Sequence, residues 1–131
     1  MYFVMEFLEG EDFADLLNRT GPLPMPLLLH IFEQLIPALV AAHEKNIVHR
    51  DLKPANVFLL RRESDPYHVK LLDFGIAKLR GELSGKALTV AGDVMGTPQF
   101  MSPEQINGVL ALDERADIWA LGVMLYKAAT A

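Results

Sequence analysis

Cysteine is absent from this 131-residue chain, so neither a disulfide framework nor a thiolate metal site is available, and a cytoplasmic setting is expected. A longer parent protein anchored in a membrane stays compatible with that expectation. Basic charge is in the minority: 12 Lys and Arg stand against 17 Asp and Glu, a net charge of -5. The chain therefore offers no general attraction to nucleic acid or anionic lipid, and contact with neither is expected. No secretory signal is legible either, because Met1-Tyr2-Phe3-Val4-Met5-Glu6 lacks basic residues and soon meets a carboxylate. An unbroken long apolar run is missing too. The most apolar stretch, Met25 to Ala42, contains His30, Glu33, Gln34 and Pro37, which argues against a membrane span. His30, His43 and His68 have no partners at metal-ligand spacing, so no transition-metal site is expected. Internal repeats and low-complexity segments are absent.

What is present is a globular composition, 51% apolar and 22% charged, enough for a core in one domain. Tyr2 to Phe7 reads as an opening edge strand that stops at Glu9-Gly10. Phe13, Leu16 and Leu17 give a short helix from Asp12 to Asn18 its apolar face, and Thr20-Gly21-Pro22 ends it. A second helix is predicted from about Pro26 to Lys45, with Leu28, Ile31, Phe32, Leu35, Leu39 and Ala42 on one face. Leu27, Leu29, Ile36 and Val40 add so much apolar surface that most of its circumference is expected to be buried. Pro37 should kink it, and Asn46 is a plausible left-handed terminator. Val57 to Leu60 and Val69 to Leu72 read as a two-stranded hairpin. A glycine-rich span from Arg80 to Gly96 has no useful periodicity. Ser102-Pro103-Glu104 opens a short helix, and another begins near Asp117, apolar on nearly every side.

Between the second helix and the hairpin lies His49-Arg50-Asp51-Leu52-Lys53-Pro54-Ala55-Asn56. Within eight residues it holds a carboxylate able to accept a proton, an ammonium able to hold a phosphate, and an amide oxygen able to ligate a hard cation. Phosphoryl transfer needs those parts, since its catalysis is mostly positioning and charge neutralisation. Two such residues in a loop would be read as a solvated turn. The full string also matches H-R-D-L-x-x-x-N, the catalytic loop of the protein kinases.

With Asp73-Phe74-Gly75, Ser102-Pro103-Glu104 and Asp117-Ile118-Trp119-Ala120-Leu121-Gly122 following in order, the chain resembles the C-terminal lobe of a Ser/Thr protein kinase. The resemblance implies an α+β, mainly α fold: a truncated protein-kinase-like C-terminal lobe with a hinge strand and a small β-hairpin at the cleft. It implies that Asp51 is the catalytic base and that Lys53 steadies the transferring phosphoryl group. Asn56 and Asp73 match the Mg²⁺ ligands. Met5, Glu6 and Leu8 resemble the hinge that contacts adenine, with Asp12 toward the ribose and Phe58 under the purine. Arg50 resembles the arginine that receives a phosphorylated activation-segment residue, Thr89 first and Ser84 second. Thr97, like Lys53, points to Ser/Thr specificity. Glu104 matches a residue whose family partner, an arginine, lies further along. His49 and Asp117 fall at structural positions. ATP and Mg²⁺ are the implied cofactors, and a protein substrate the implied partner.

Residues 1–131 are thus read as a partial kinase domain, running from the hinge through the activation segment to the first part of the Asp117 helix. No G-x-G-x-x-G loop and no V-A-I-K-like strand occur in them. The N-lobe and the last helices are expected to belong to a larger parent, and apolar surface on the final helix is expected to be exposed. Two readings follow: a Ser/Thr kinase active in its complete form, or a catalytically inactive remnant or interaction module. The 131 residues alone are expected to bind ATP poorly and to show no turnover.

Overall fold

The computed structural model describes residues 6–73, 98–109 and 111–130. Its helices are α1 (Phe13–Thr20), α2 (Met25–His43), α3 (Pro103–Ile106) and α4 (Arg115–Thr130). The strands are β1 (Gly10–Asp12), β2 (Val57–Leu60) and β3 (His68–Leu71), with 3-10 turns at Pro54–Asn56 and Pro98–Phe100. The mainly helical α+β class agrees with the expectation.

The hairpin forms as read, with Val57 opposite Leu71 and Leu60 opposite His68. The sheet has a third strand besides the hairpin: β1 adds antiparallel to β2, giving the order β1-β2-β3. Of the strand read from Tyr2 to Phe7, residues 2–5 lie outside the described set, while Glu6 and Phe7 belong to no strand; β1 is a strand the sequence reading did not mark. Gly10, read as a stop for the earlier run, opens β1. Gly10 takes φ +153°, and a Cβ there would run into the Leu59 carbonyl oxygen. Only the missing side chain lets the two backbones meet. We expect Gly10→Ala to cost about 1–3 kcal/mol through overpacking, read as a lowered urea midpoint with unchanged slope. A midpoint equal to that of the parent would show that β1 does not pack this closely.

Asp12 ends β1 and caps α1, its Oδ1 accepting the Asp15 N–H at 2.9 Å. The helix therefore starts one residue later than predicted and runs on to Thr20. Gly21, at φ 70°, closes it. Helix α2 begins with Pro24 at its cap and Pro26 in its first turn, and continues through Pro37. Asn46 then takes the expected left-handed φ of 58°.

Leu28, Ile31, Phe32, Leu35 and Leu39 of α2 enter one core with Phe13, Leu16, Val57, Leu59 and Met124. Phe13 and Phe32 meet edge to face at 6.4 Å. The rest of α2 departs from the expectation of burial. Leu29, Ile36 and Val40 remain 51%, 45% and 48% exposed, because the small sheet and α4 cover only one side of the helix. By length and composition alone α2 could cross a membrane, but its other face forms the core just described.

Helix α4 buries Ala116, Ala120, Met124 and Ala128, a four-residue spacing whose small side chains allow close approach. The Ala128 carbonyl accepts the Leu23 N–H at 2.8 Å, tying the end of α4 to the α1–α2 connection. Ile118, Trp119 and Tyr126 are exposed as anticipated, and with Gly122 and Val123 they line an open groove of about 360 Å³.

The histidines are less isolated than their spacing implied. His30 Nε2 bonds Asp65 Oδ1 at 2.9 Å, and His68 lies 3.8 Å from Oδ2 of the same carboxylate. Gln34 fixes this corner, accepting the Val69 N–H and donating to the Tyr67 carbonyl. Burial pushes the Asp65 carboxyl up, but the bond from His30, the Tyr67 N–H and both imidazoles outweigh it and hold the group below its ordinary range. Among the described residues, no three His, Cys, Asp or Glu side chains are grouped to hold a metal.

Candidate active site

The charged loop hangs from one buried carboxylate. Asp117, 1% exposed at the start of α4, accepts the His49 N–H on Oδ2 at 2.8 Å and the Arg50 N–H on Oδ1 at 2.9 Å. His43, in the last turn of α2, reaches Oδ2 from the other side at 2.8 Å. A carboxylate withdrawn from water needs such partners, and backbone N–H groups are strong ones. They hold Arg50 at φ 63°, a left-handed conformation that costs a non-glycine residue about 1–3 kcal/mol.

His49 is fully buried and acts through its ring. Its Nε2 meets the Leu72 carbonyl at 2.9 Å, where only a protonated nitrogen can bond. That leaves Nδ1 as the acceptor for the Asp51 N–H, at a long 3.4 Å. The imidazole is thereby assigned as the neutral Nε2–H tautomer, bridging the loop to the end of β3.

Asp51 Oδ2 pairs with Lys53 Nζ at 2.9 Å, both groups partly exposed. Asn56, which is buried, donates its amide to the Asp51 carbonyl at 2.8 Å, so its Oδ1 is turned away from that bond. The 3-10 turn at Pro54–Asn56 makes this reach possible, and Val57 then starts β2. Leu72 closes the far side, its N–H bonding the Asn56 carbonyl at 2.9 Å. Asp73 follows at once, exposed and left-handed at φ 47°. Asp51, Lys53 and Asn56 thus belong to one hydrogen-bonded frame, and Asp73 directly follows Leu72, which is bonded into it.

The nucleotide candidates gather at the sheet. Phe58 stands opposite Asp12 on one side and Lys70 on the other. It is half-buried while its neighbours Val57 and Leu59 point into the core. Lys70 pairs with Glu6 and holds that exposed carboxyl below its ordinary range. Leu8 is partly buried just before β1. Met5, Ser84, Thr89 and Thr97 lie outside the described residues. Glu104 sits in the first turn of α3, and its charge adds to the field at Arg115, whose direct partner is Asp113 at 2.8 Å.

Two residues of this frame escaped the sequence reading. His43 was treated as an isolated polar residue, and its partner lies 74 positions away. Gln105 had a local signal: Ser102-x-x-Gln105 is a capping box, and both of its bonds form. The same amide also donates to the Arg50 carbonyl at 2.7 Å.

Asp73 follows Leu72, whose N–H bonds the Asn56 carbonyl, and the side chains of Asp73 and Asn56 carry hard oxygen donors of the kind that suit a divalent cation keeping water and phosphate oxygens as its other ligands. Loop, frame and donors together are the parts that a phosphoryl-transfer site of the protein kinase class would need. The sequence profile of the protein kinase domain matches residues 1–131, and the chain belongs to that family. Its curated relatives include the serine/threonine-protein kinases pkn3 and Pkn1 of Myxococcus xanthus, 44% and 45% identical over 99% and 98% of this chain. The serine/threonine-protein kinase PknB of Mycolicibacterium smegmatis is 36% identical over 98% of it. These matches span only 24%, 18% and 20% of the respective relatives, so the chain corresponds to a quarter or less of each. ATP and a divalent metal ion are the family's cofactors.

Proposed function

We propose that residues 1–131 are the catalytic part of a Ser/Thr protein kinase domain, from the hinge to the first part of the Asp117 helix, acting in the cytoplasm on protein hydroxyl groups. The observation that carries this is the Asp51–Lys53 pair at 2.9 Å on a loop suspended from Asp117. ATP would supply the phosphoryl group, and bound Mg²⁺ would neutralise part of its charge. Asp51 orients the attacking hydroxyl and takes its proton. Lys53, already beside that carboxylate, stands where it can hold the negative oxygens of the group in transfer. Asn56 and Asp73 are the residues that would hold Mg²⁺. Phe58 and Asp12, facing each other across β1 and β2, form the lower wall for adenine and ribose, completed by Met5, Glu6 and Leu8. Arg50 is the residue that would receive a phosphate on Thr89, and Thr97 would select Ser/Thr substrates. A remnant without turnover would have no need of the intact set Asp51, Lys53, Asn56 and Asp73.

The test places these 131 residues in the matching segment of full-length Myxococcus xanthus pkn3, which provides the remaining domain. The purified chimera should transfer label from γ-labelled ATP to protein, with phosphoserine and phosphothreonine recovered on hydrolysis. A folded chimera that transfers no label, or that labels only tyrosine, would refute the reading.

A further inference from the structure

We propose that Gln105 is a positioning residue for the transfer reaction, tying α3 to the peptide plane on which Asp51 is mounted. The inference rests on the kinase reading and adds a residue to it. The Gln105 side chain is bonded at both ends: Oε1 accepts the Ser102 N–H at 2.9 Å, and Nε2 donates to the Arg50 carbonyl at 2.7 Å. Chemistry fixes the direction of the amide, since a backbone N–H requires its oxygen and a carbonyl requires its NH2.

The peptide group between Arg50 and Asp51 is therefore held by both edges. Its carbonyl is bonded by Gln105, and its N–H faces His49 Nδ1. Asp117 holds the preceding peptide through the Arg50 N–H. Arg50 is left-handed, so this plane lies away from the conformation a non-glycine residue prefers and depends on its partners to stay there. Beneath it lies a void of only about 10 Å³, bordered by Arg50, Asp51, Lys53, Phe100 and Gln105. That is room for about one water. A rotated plane would carry the Asp51 carboxylate away from Lys53. A shift of α3, which follows the segment leading out of Asp73, would reach the catalytic carboxylate through this one amide.

Gln105→Glu separates positioning from capping. Glutamate at this helix position still accepts the Ser102 N–H and keeps the capping box. A carboxylate cannot donate to the Arg50 carbonyl and would repel it. In the pkn3 chimera, Gln105→Glu and Gln105→Ala should both lower kcat by about tenfold, with KM for ATP within about twofold of the parent, since alignment rather than ground-state binding is lost. If Gln105→Glu keeps the parental kcat while Gln105→Ala loses it, the residue is a cap only and the proposal falls. If both variants keep the parental kcat, it falls as well. A fall confined to KM would also overturn it. In the 131-residue chain itself, the Gln105 side-chain amide should exchange with solvent at least about tenfold more slowly than that of exposed Gln99, reflecting its bonded state. Equal exchange would remove the tie whatever the enzyme does. An inactive parental chimera with a protected Gln105 amide would refute the kinase reading and, with it, a role in transfer.

Discussion

Asp51→Asn in the pkn3 chimera should lower kcat by about 10²–10⁴-fold, the usual contribution of a positioned general base, while KM for ATP changes little. An amide cannot take the hydroxyl proton at neutral pH. It can still accept from Lys53, and the Asp51 backbone carbonyl keeps its bond from Asn56, so the loop itself should persist. Asp73→Ala is the contrasting variant. It should raise the Mg²⁺ and ATP concentrations needed for half-maximal rate, because Asp73, two residues past β3, is assigned to the metal whereas the partner of Lys53 is Asp51. Steady-state kinetics with both substrates varied separate the two. Parental turnover in Asp51→Asn would remove Asp51 from the chemistry.

The candidate catalytic loop was legible as a cluster because its residues are contiguous. Asp51, Lys53 and Asn56 meet through bonds that span two to five positions, and a linear string preserves such neighbours. The hairpin and the buried face of α2 were legible for a related reason, since strand and helix periods write burial into the order of residues. What failed depended on what the chain folds against. Leu29, Ile36 and Val40 carry the same apolar signal as Leu28 and Leu35, yet the fold has one covered side to give α2. Strand β1 was hidden because its pairing rests on a glycine with no side chain to read. Asp117 was placed only by family resemblance, as its bonds to His43, His49 and Arg50 cross 67 to 74 positions. No local pattern announces a carboxylate that will receive three donors.

Asp117 is also where the largest loss of stability is expected. The site presents three donors: two backbone N–H groups and the His43 imidazole. Asparagine has nearly the same shape but replaces one acceptor oxygen with an NH2 group. Whichever way that amide turns, at least one donor faces another donor in a region closed to water. Leaving a buried N–H without a partner costs about 1–3 kcal/mol, and more where a charged acceptor is lost. Asp117→Asn should therefore destabilise the chain by about 2–4 kcal/mol, and Asp117→Ala, which removes every acceptor, by more. His43→Ala should cost less than either, because it removes one donor and leaves the backbone bonds in place. The exposed pair formed by Asp113 with Arg115 supplies the control, since ion pairs open to solvent contribute little and Asp113→Asn should barely move the midpoint. Urea unfolding of the purified chain, with the slope required to stay constant, gives the order directly. If Asp117→Asn is no more destabilising than Asp113→Asn, the charged loop does not hang from this carboxylate, and the left-handed Arg50 must be held by something else.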